Sequence, residues 1–370
     1  MAGLRELERV LSDAGLELGR RGAGSTGRLA GALLLVGGEH RGGLLAPVGD
    51  GSSAPTPAPS IPQLAAAFLA AADPQPAAPE PSHRGGGARR VGDWVPSWTD
   101  REHRTAIEQV RTAIARGDVY QANVVGHRHL DIYSNEPISG FVDKALRSLF
   151  GRRGGTLVHP AQGWSVHCAS PESVLEVGTD RVVRSRPIKG TDRDAARLRT
   201  SGKDRAEHVM IVDLVRNDLA RIARSGTVTV EELYGLRRWA DLWQAESTVR
   251  AELGSDVGLA DLLGSVLPAG SVTGAPKQAA VDLLARLEPV GRGPAMGALG
   301  YLRADGSLTL SLTIRTVAVE QSSSFARMHL WAGGGITWGS DPGAEVAEAH
   351  SKAAPLLAAL DAAFPVATRA

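Results

Sequence analysis

Apolar residues recur at helical spacing at Leu4, Leu7, Leu11 and Ala14, which predicts a short amphipathic helix at the start of the chain. Residues 28–37 and 43–48 are apolar runs on either side of a Gly-Gly-Glu-His-Arg turn and read as two strands. The pattern then fails. From Pro47 to Arg90 the chain is rich in Pro, Ala, Ser and Gly, with little to bury beyond Leu64, Phe68 and Leu69. That stretch reads as a linker or surface segment with one short helix over 63–72. The expected organisation is an N-terminal segment (1–48), a Pro/Ala/Gly-rich linker (49–93) and a main domain (94–365).

Periodicity returns at Trp94. Ile107, Val110 and Ile114 share one face of a helix over 102–116, which Gly117-Asp118 ends. Residues 119–130 have strand character and 141–150 are helical. Short strands at 157–158, 165–168, 173–177 and 181–184 are split by Gly, Pro and Asp. A long helix over 204–223, strands at 228–230 and 247–253, and helices over 259–267 and 276–287 come next. Three strands in meander order (297–303, 307–319, 326–332) lead to a closing helix over 342–364. Consecutive strands favour antiparallel pairing, so the fold class is α+β and not a doubly wound parallel sheet.

Composition narrows the function classes. The 370 residues suffice for one large domain or two medium ones, and a formal charge of +1 gives no support for a nucleic-acid partner. A single cysteine, Cys168, excludes an intramolecular disulfide and fits a buried thiol in a reducing, cytoplasmic setting. Residues 1–11 place acids among their apolar positions and lack a signal-peptide core, and no apolar run is long enough to span a bilayer. No membrane association is expected.

The chemistry-bearing residues cluster late in the chain. Gly333, Gly334 and Gly335 read as a turn whose free N–H groups can cradle an anion. Asp341 then reads as a helix N-cap and Pro342 as the first helical residue, with Glu345, Glu348 and Lys352 on one face behind them. Asp204 and Glu207 form a second acidic pair at i and i+3. Four acids meeting across a cleft require a divalent cation, and oxygen-only ligands select Mg²⁺ over zinc. If the pairs do not meet, each is a solvated helix face. Lys189 stands between rigid Pro187 and flexible Gly190, a loop that presents an amine as nucleophile or base, or else an exposed turn lysine. Residues 270–277 look like a phosphate loop, but the spacing is short and no Gly-Lys-Ser/Thr follows.

The motifs Tyr120-Gln-Ala-Asn123, Ser170-Pro-Glu172, Arg186-Pro-Ile-Lys-Gly-Thr191, Ala206-Glu-His208 and Asp213-Leu-Val-Arg-Asn-Asp-Leu219 occur in that order. They are followed by Gly270 with Thr273-Gly-Ala-Pro-Lys277, Gly300-Tyr301, Ile314-Arg-Thr316, and Gly333-Gly-Gly-Ile336 with Ser340-Asp-Pro342. This set resembles the chorismate-utilising enzymes, which include anthranilate synthase component I, aminodeoxychorismate synthase component I, isochorismate synthase and salicylate synthase. The resemblance covers roughly residues 94–360. It implies a large αββα fold of stacked antiparallel sheets, with chorismate as substrate and Mg²⁺ held against the ring carboxylate. Glu207 and Glu348 match the metal ligands, with Glu345 and Asp204 as accessory acids; Asp204 stands where the family usually has Glu. Tyr301 and Arg315 match the positions that hold the enolpyruvyl carboxylate, a role that suits a guanidinium fork. The backbone of Gly333, Gly334 and Gly335 and the side chain of Lys352 match carboxylate-binding elements, and Thr273 and Gln244 belong to the same substrate-binding set.

All branches of that family must expel hydroxide from C4. Mg²⁺ on the carboxylate draws electron density from the diene while an acid protonates the departing hydroxyl. Glu172 matches that acid. Lys189 separates the branches, because Pro-Ile-Lys-Gly-Thr resembles aminodeoxychorismate synthase, in which the amine adds at C2 before ammonia attacks C4. Anthranilate synthases usually carry alanine there, and Asn123 points the same way. Gln244 lies in Trp-Gln-Ala-Glu-Ser-Thr, where the family commonly has His-Leu-Val-Ser, and a glutamine cannot remove the C2 proton to expel pyruvate. Glu246 occupies a normally apolar position. The N-terminal part is reduced and lacks a Leu-Leu-Glu-Ser element, so tryptophan inhibition is not expected and a sheet edge would need covering. The implied activity is conversion of chorismate and ammonia to 4-amino-4-deoxychorismate, on the route to p-aminobenzoate and folate. Ammonia would come from a separate glutamine amidotransferase subunit, since Cys168 lies in no nucleophile elbow. Anthranilate synthase component I and a non-catalytic chorismate-binding protein are the alternatives.

Overall fold

Local signals set the helix ends. Thr99 and Glu102 form a reciprocal capping box, in which the Thr99 N–H donates to Glu102 Oε2 at 2.7 Å and the Glu102 N–H to Thr99 Oγ1 at 3.3 Å. Gly117, at φ 82°, ends the same helix in the left-handed region. The computed structural model describes residues 1–19, 29–38, 54–70, 88–150, 155–239 and 242–366. The chain opens with α1 (Ala2–Asp13), β1 (Leu29–Val36), β2 (Leu64–Ala70), β3 (Arg89–Pro96), α2 (Asp100–Arg116), β4 (Gln121–Tyr133) and α3 (Ser139–Phe150). Five strands follow: β5 (Gly155–His159), β6 (Trp164–Cys168), β7 (Ser173–Val177), β8 (Val182–Arg186) and β9 (Ile188–Asp192). Next come α4 (Ala195–Thr200), α5 (Gly202–Ala220), β10 (Thr229–Trp239), β11 (Leu242–Glu252), α6 (Leu259–Val266), β12 (Gly274–Ala275) and α7 (Lys277–Leu287). The chain closes with β13 (Ala298–Arg303), β14 (Leu308–Leu312), β15 (Thr316–Gln321), β16 (Phe325–Ile336) and α8 (Pro342–Ala363).

Among the described residues the strands form two stacked antiparallel sheets flanked by helices, the expected α+β class. One is nine-stranded in the order β10-β11-β8-β7-β14-β13-β1-β2, with β9 also on β11. The other is seven-stranded in the order β12-β4-β16-β15-β6-β5, with β3 on β4. Leu34, Leu175, Leu299 and Leu310 of the first sheet and Val166, Ala318 and Trp331 of the second are buried in one continuous cluster. Each of the leucines and the valine contributes about 1.5–3 kcal/mol by leaving water. On the second sheet, Leu146 of α3 and Leu356 and Leu360 of α8 pack against Leu130, Val317 and Met328. That packing fixes α8 beside β16, which is what positions the site. Cys168 is buried, and burial pushes its thiol up.

Three expectations are corrected. Residues 64–70 form β2 and not a helix, pairing with β1 from Leu29↔Ala70 to Val36↔Leu64. Ala and Leu prefer helix intrinsically, but the open edge of β1 offers a row of backbone partners that outweighs the preference. The 49–93 span is thus more than a linker: β2 joins the first sheet and β3 the second. The strand expected over 307–319 is two strands, β14 in the first sheet and β15 in the second. The chain crosses between sheets at Arg315, whose φ of 49° turns it out of the extended region. The strand expected at 43–48 lies outside the described residues.

Candidate active site

A cavity of about 600 Å³ opens where the C-terminal end of β16 meets β9, the first turns of α5 and α8, and the turn before β12. Its polar wall includes Glu172, Lys189, Asp204, Glu207, Gln244 and Arg315, together with Gly333, Gly335, Glu345, Glu348 and Lys352. Most of the residues singled out from the sequence therefore share one space. Met296, Ile314 and Trp331 supply an apolar floor. Met296 and Arg315 both hold left-handed backbone, at φ 59° and 49°, a conformation that costs about 1–3 kcal/mol in non-glycine residues.

Lys189 sits on β9, held in register by Thr191↔Gln244 and Ile188↔Glu246 pairing with β11. His208 Nδ1 lies 3.3 Å from the Lys189 carbonyl and its Nε2 lies 2.6 Å from Ser247 Oγ, so this histidine anchors the lysine backbone. The ammonium rests on the bare α-carbon of Gly335, where a Cβ would stand 2.8 Å from Nζ. Burial lowers the Lys189 pKa, helped by Lys352 and opposed by Glu207, Glu172 and Glu348. The amine is consequently easier to deprotonate than a solvated lysine.

Glu172 faces that amine from a tight turn, in which the Glu172 N–H donates to Ser170 Oγ at 3.1 Å. The carboxyl is 6% exposed, and Ser271 Oγ donates to its Oε1 at 2.7 Å. Burial pushes its pKa up to about 7, against the Ser271 hydrogen bond and the charge of Lys189, and Glu246 pushes it further the same way. Near neutral pH this group carries a proton that it can give away.

Asp341 caps α8 by accepting from the Ala344 N–H at 2.8 Å, with Pro342 in the first turn. That start aims Glu345 and Glu348 at the triglycine segment. The segment is not a turn, as the sequence pattern led us to expect, but the end of β16, paired to β4 through Gly333↔Val125, Gly334↔Val124 and Gly335↔Asn123. The β15 pairing ends at Val317↔Leu330, so among the described residues no strand pairs with the other edge of β16 there. Lys352 Nζ donates to the Gly333 carbonyl at 3.0 Å and pairs with Glu348 at 2.7 Å.

The acids from α5 and α8 line one cavity, yet no three acidic, histidine or cysteine side chains among the described residues gather closely enough to cage a metal. A smaller cradle exists at Gly334, where a Cβ would stand 3.2 Å from Glu345 Oε2 and 4.0 Å from Glu348 Oε1. A hard cation that keeps its waters and takes one or two carboxylates plus ligand oxygens fits such a donor set. Glu207 and Glu348, with Glu345 and Asp204 lining the same cavity, are the residues that would hold it.

Two expected residues lie elsewhere. The ring of Tyr301 packs over Gly31, with the Arg303 guanidinium 5.2 Å from its centroid, and does not line the cavity. The two-residue alternation of β13 turns it away from the site. Thr273 is fully buried, its hydroxyl donating to the Ala269 carbonyl at 2.8 Å and its own carbonyl accepting the Asn123 N–H at 2.7 Å. It shapes the wall from behind, while Ser271 does the facing. Sequence reasoning also missed a buried clamp. Arg292 reaches both Glu288 oxygens, at 2.9 and 2.6 Å, and the carbonyls of Val272 (2.6 Å) and Asn123 (2.7 Å). Glu288, the residue that follows α7, and Arg292 are four residues apart, a spacing that could have flagged the pair.

Comparison with known proteins agrees with this geometry. The sequence profile of the chorismate binding enzyme family matches residues 52–358. Anthranilate synthase component 1 of Streptomyces coelicolor is 35% identical over 280 residues, covering 72% of this chain and 53% of that protein. Aminodeoxychorismate synthase component 1 of Escherichia coli is 34% identical over 283 residues, covering 73% of this chain and 60% of that protein. The chain thus spans between half and two thirds of these relatives. The crystal structure of anthranilate synthase component I from Streptococcus pneumoniae superposes with a TM-score of 0.75 at 23% identity, over 95% of this chain and 85% of that one, a likeness of fold. With its motifs, its two stacked sheets and its polar cavity accounted for, this chain belongs to the chorismate binding enzyme family.

Proposed function

We propose that this chain is an aminodeoxychorismate synthase component, which replaces the C4 hydroxyl of chorismate with an amino group taken from ammonia. The observation that carries this reading is the pairing, in one cavity, of the partly buried Lys189 amine with the proton-holding Glu172. Arg315 and Lys352 offer charge to the carboxylates of chorismate, and Met296, Ile314 and Trp331 offer apolar surface to its ring.

The neutral Lys189 amine forms a bond to ring C2, the ring double bonds shift, and the C4–O bond breaks. Glu172 gives its proton to the departing hydroxyl, which leaves as water. Ammonia then bonds to C4, the double bonds shift back, and the C2–N bond breaks to release the lysine. The adduct nitrogen keeps its protons and leaves as the neutral lysine amine, while the one proton shed by the new C4 ammonium restores Glu172 as an acid. Mg²⁺ bound by Glu207 and Glu348 would draw electron density from the ring through its carboxylate. Ammonia would be supplied by a separate amidotransferase subunit.

Anthranilate formation would require a base for the C2 proton. Gln244 cannot serve, and no histidine lines the cavity among the described residues. The test is product identification by mass and fluorescence after incubation with chorismate, Mg²⁺ and an ammonium salt. Non-fluorescent aminodeoxychorismate is the expected product. Fluorescent anthranilate with released pyruvate, or chorismate that is bound and returned unchanged, would overturn the proposal.

A further inference from the structure

Lys189 interrupts the strand that carries it. In the β9–β11 register Thr191 faces Gln244 and Ile188 faces Glu246, so Lys189 and Gly190 together oppose the single residue Ala245. That is a β-bulge, one extra residue in one strand, a device that bends the strand and re-aims a side chain. Gly190 permits it: its φ is +83°, and a Cβ there would stand 2.8 Å from Leu198 Cδ1 and 3.2 Å from Asp204 Cβ. Among the described residues neither bulged residue has a partner in this register, so the Lys189 carbonyl takes its donor from elsewhere.

His208 supplies that donor. Its ring is buried, with Nδ1 3.3 Å from the Lys189 carbonyl oxygen and Nε2 2.6 Å from Ser247 Oγ of β11. A carbonyl only accepts, so the proton between His208 and Lys189 belongs to Nδ1. Ser247 Oγ accepts the Tyr234 N–H at 2.9 Å, which leaves the Ser247 hydroxyl hydrogen to donate to Nε2. One directed chain therefore runs from Tyr234 of β10 through Ser247 and His208 to Lys189. Tyr234 is held in turn, since its hydroxyl donates to the Leu198 carbonyl at 2.9 Å. Glu207, next to His208 on α5, lines the cavity. One turn of helix thus presents an acid to the ligand space and grips the peptide of the amine beside it. An apolar residue at 208 would fill the same volume but leave the bulge carbonyl without this donor.

We propose that His208 is a positioning residue for the Lys189 amine: its Nδ1–H holds the carbonyl of the β9 bulge and so fixes the direction from which Lys189 enters the cavity. This rests on the reading of Lys189 as the nucleophile, and it adds a requirement on the backbone behind the amine.

The test uses the full chain and two readouts. In protein labelled with ¹⁵N-histidine, His208 is assigned by the signals missing in His208→Asn, and long-range ¹H–¹⁵N correlations locate its ring proton without turnover. A proton on Nδ1 is expected, and a ring protonated at Nε2 alone would overturn the proposal. The second readout compares two variants, each checked for an unchanged far-UV spectrum and melting temperature. Asparagine sets its amide nitrogen near the place of Nδ1 and can still donate to Lys189, whereas leucine fills the space without a donor. His208→Leu should lower kcat by about 10–100-fold, with chorismate KM and the Mg²⁺ requirement changed by less than about threefold. His208→Asn should stay within about threefold of the wild-type kcat. Wild-type kcat in His208→Leu, or equal losses in the two variants, would overturn the proposal. Failure of the nucleophile reading is seen separately, as turnover retained in Lys189→Ala whatever the position of the His208 proton.

Discussion

Replacing Glu172 by glutamine separates what this side chain does for catalysis from what it costs the fold. Its pKa in the folded protein is about 7, against 4.5 for the same group unperturbed. Between those values the folded state binds the proton and the unfolded state does not. The contribution of this one group to stability is therefore greatest below about pH 4.5, falls as the pH rises to about 7, and stays lower above that. At about 1.4 kcal/mol per pH unit the difference amounts to about 3 kcal/mol. Glutamine has nearly the same shape and remains neutral, so Glu172→Gln escapes the cost. Urea unfolding at pH 5 should give stabilities within about 1 kcal/mol for the two proteins, whereas at pH 8 the variant should be the more stable by about 2–3 kcal/mol. Turnover should move the opposite way: wild-type kcat falls above about pH 7 as the acid loses its proton, and the variant loses about 10²–10⁴-fold at pH 7. Identical pH dependence of stability in the two proteins would refute the protonated, desolvated state assigned to Glu172.

Other substitutions probe the remaining parts of the cavity. Lys189→Ala should abolish amination yet still bind chorismate by calorimetry; an active variant removes the nucleophile. Arg315→Met should weaken chorismate binding by about 1.5–3 kcal/mol, the value of one charge-assisted hydrogen bond, with a smaller effect on kcat. Glu348→Gln should abolish Mg²⁺-dependent turnover, and full activity would place the metal elsewhere. Arg292→Leu leaves the Glu288 carboxylate buried without its partner and should cost about 3–5 kcal/mol in urea unfolding; a change below 1 kcal/mol would show that the clamp is dispensable.

The helices and the motif-bearing residues were legible because their signals are local. Gly117, Asp341 and Pro342 mark helix ends through chemistry confined to one turn, and Glu345 and Glu348 share a face by periodicity alone, whereas the Thr99 cap that starts α2 two residues before the expected 102 went unread. What escaped depends on distant partners. The 64–70 segment is a strand only because β1 offers an edge, and the break at Arg315 exists only because the chain must pass from one sheet to the other. Tyr301 was placed in the site by motif, but strand alternation decides which way a side chain points, and motif order does not encode that. Thr273 and Ser271 lie two residues apart in one turn, and only the backbone path shows which hydroxyl faces the cavity. The Arg292–Glu288 clamp had a readable spacing but no sign of what it would hold.

The most direct measurement is the intact mass of the protein after exposure to chorismate and Mg²⁺ with ammonia withheld. Attack by the Lys189 amine with loss of the C4 hydroxyl should leave the chain heavier by one chorismate less one water, with the added mass mapping to the peptide that contains Lys189 and disappearing when ammonium is supplied. An unmodified wild-type protein that nevertheless aminates chorismate, or the same adduct on Lys189→Ala, would contradict the account.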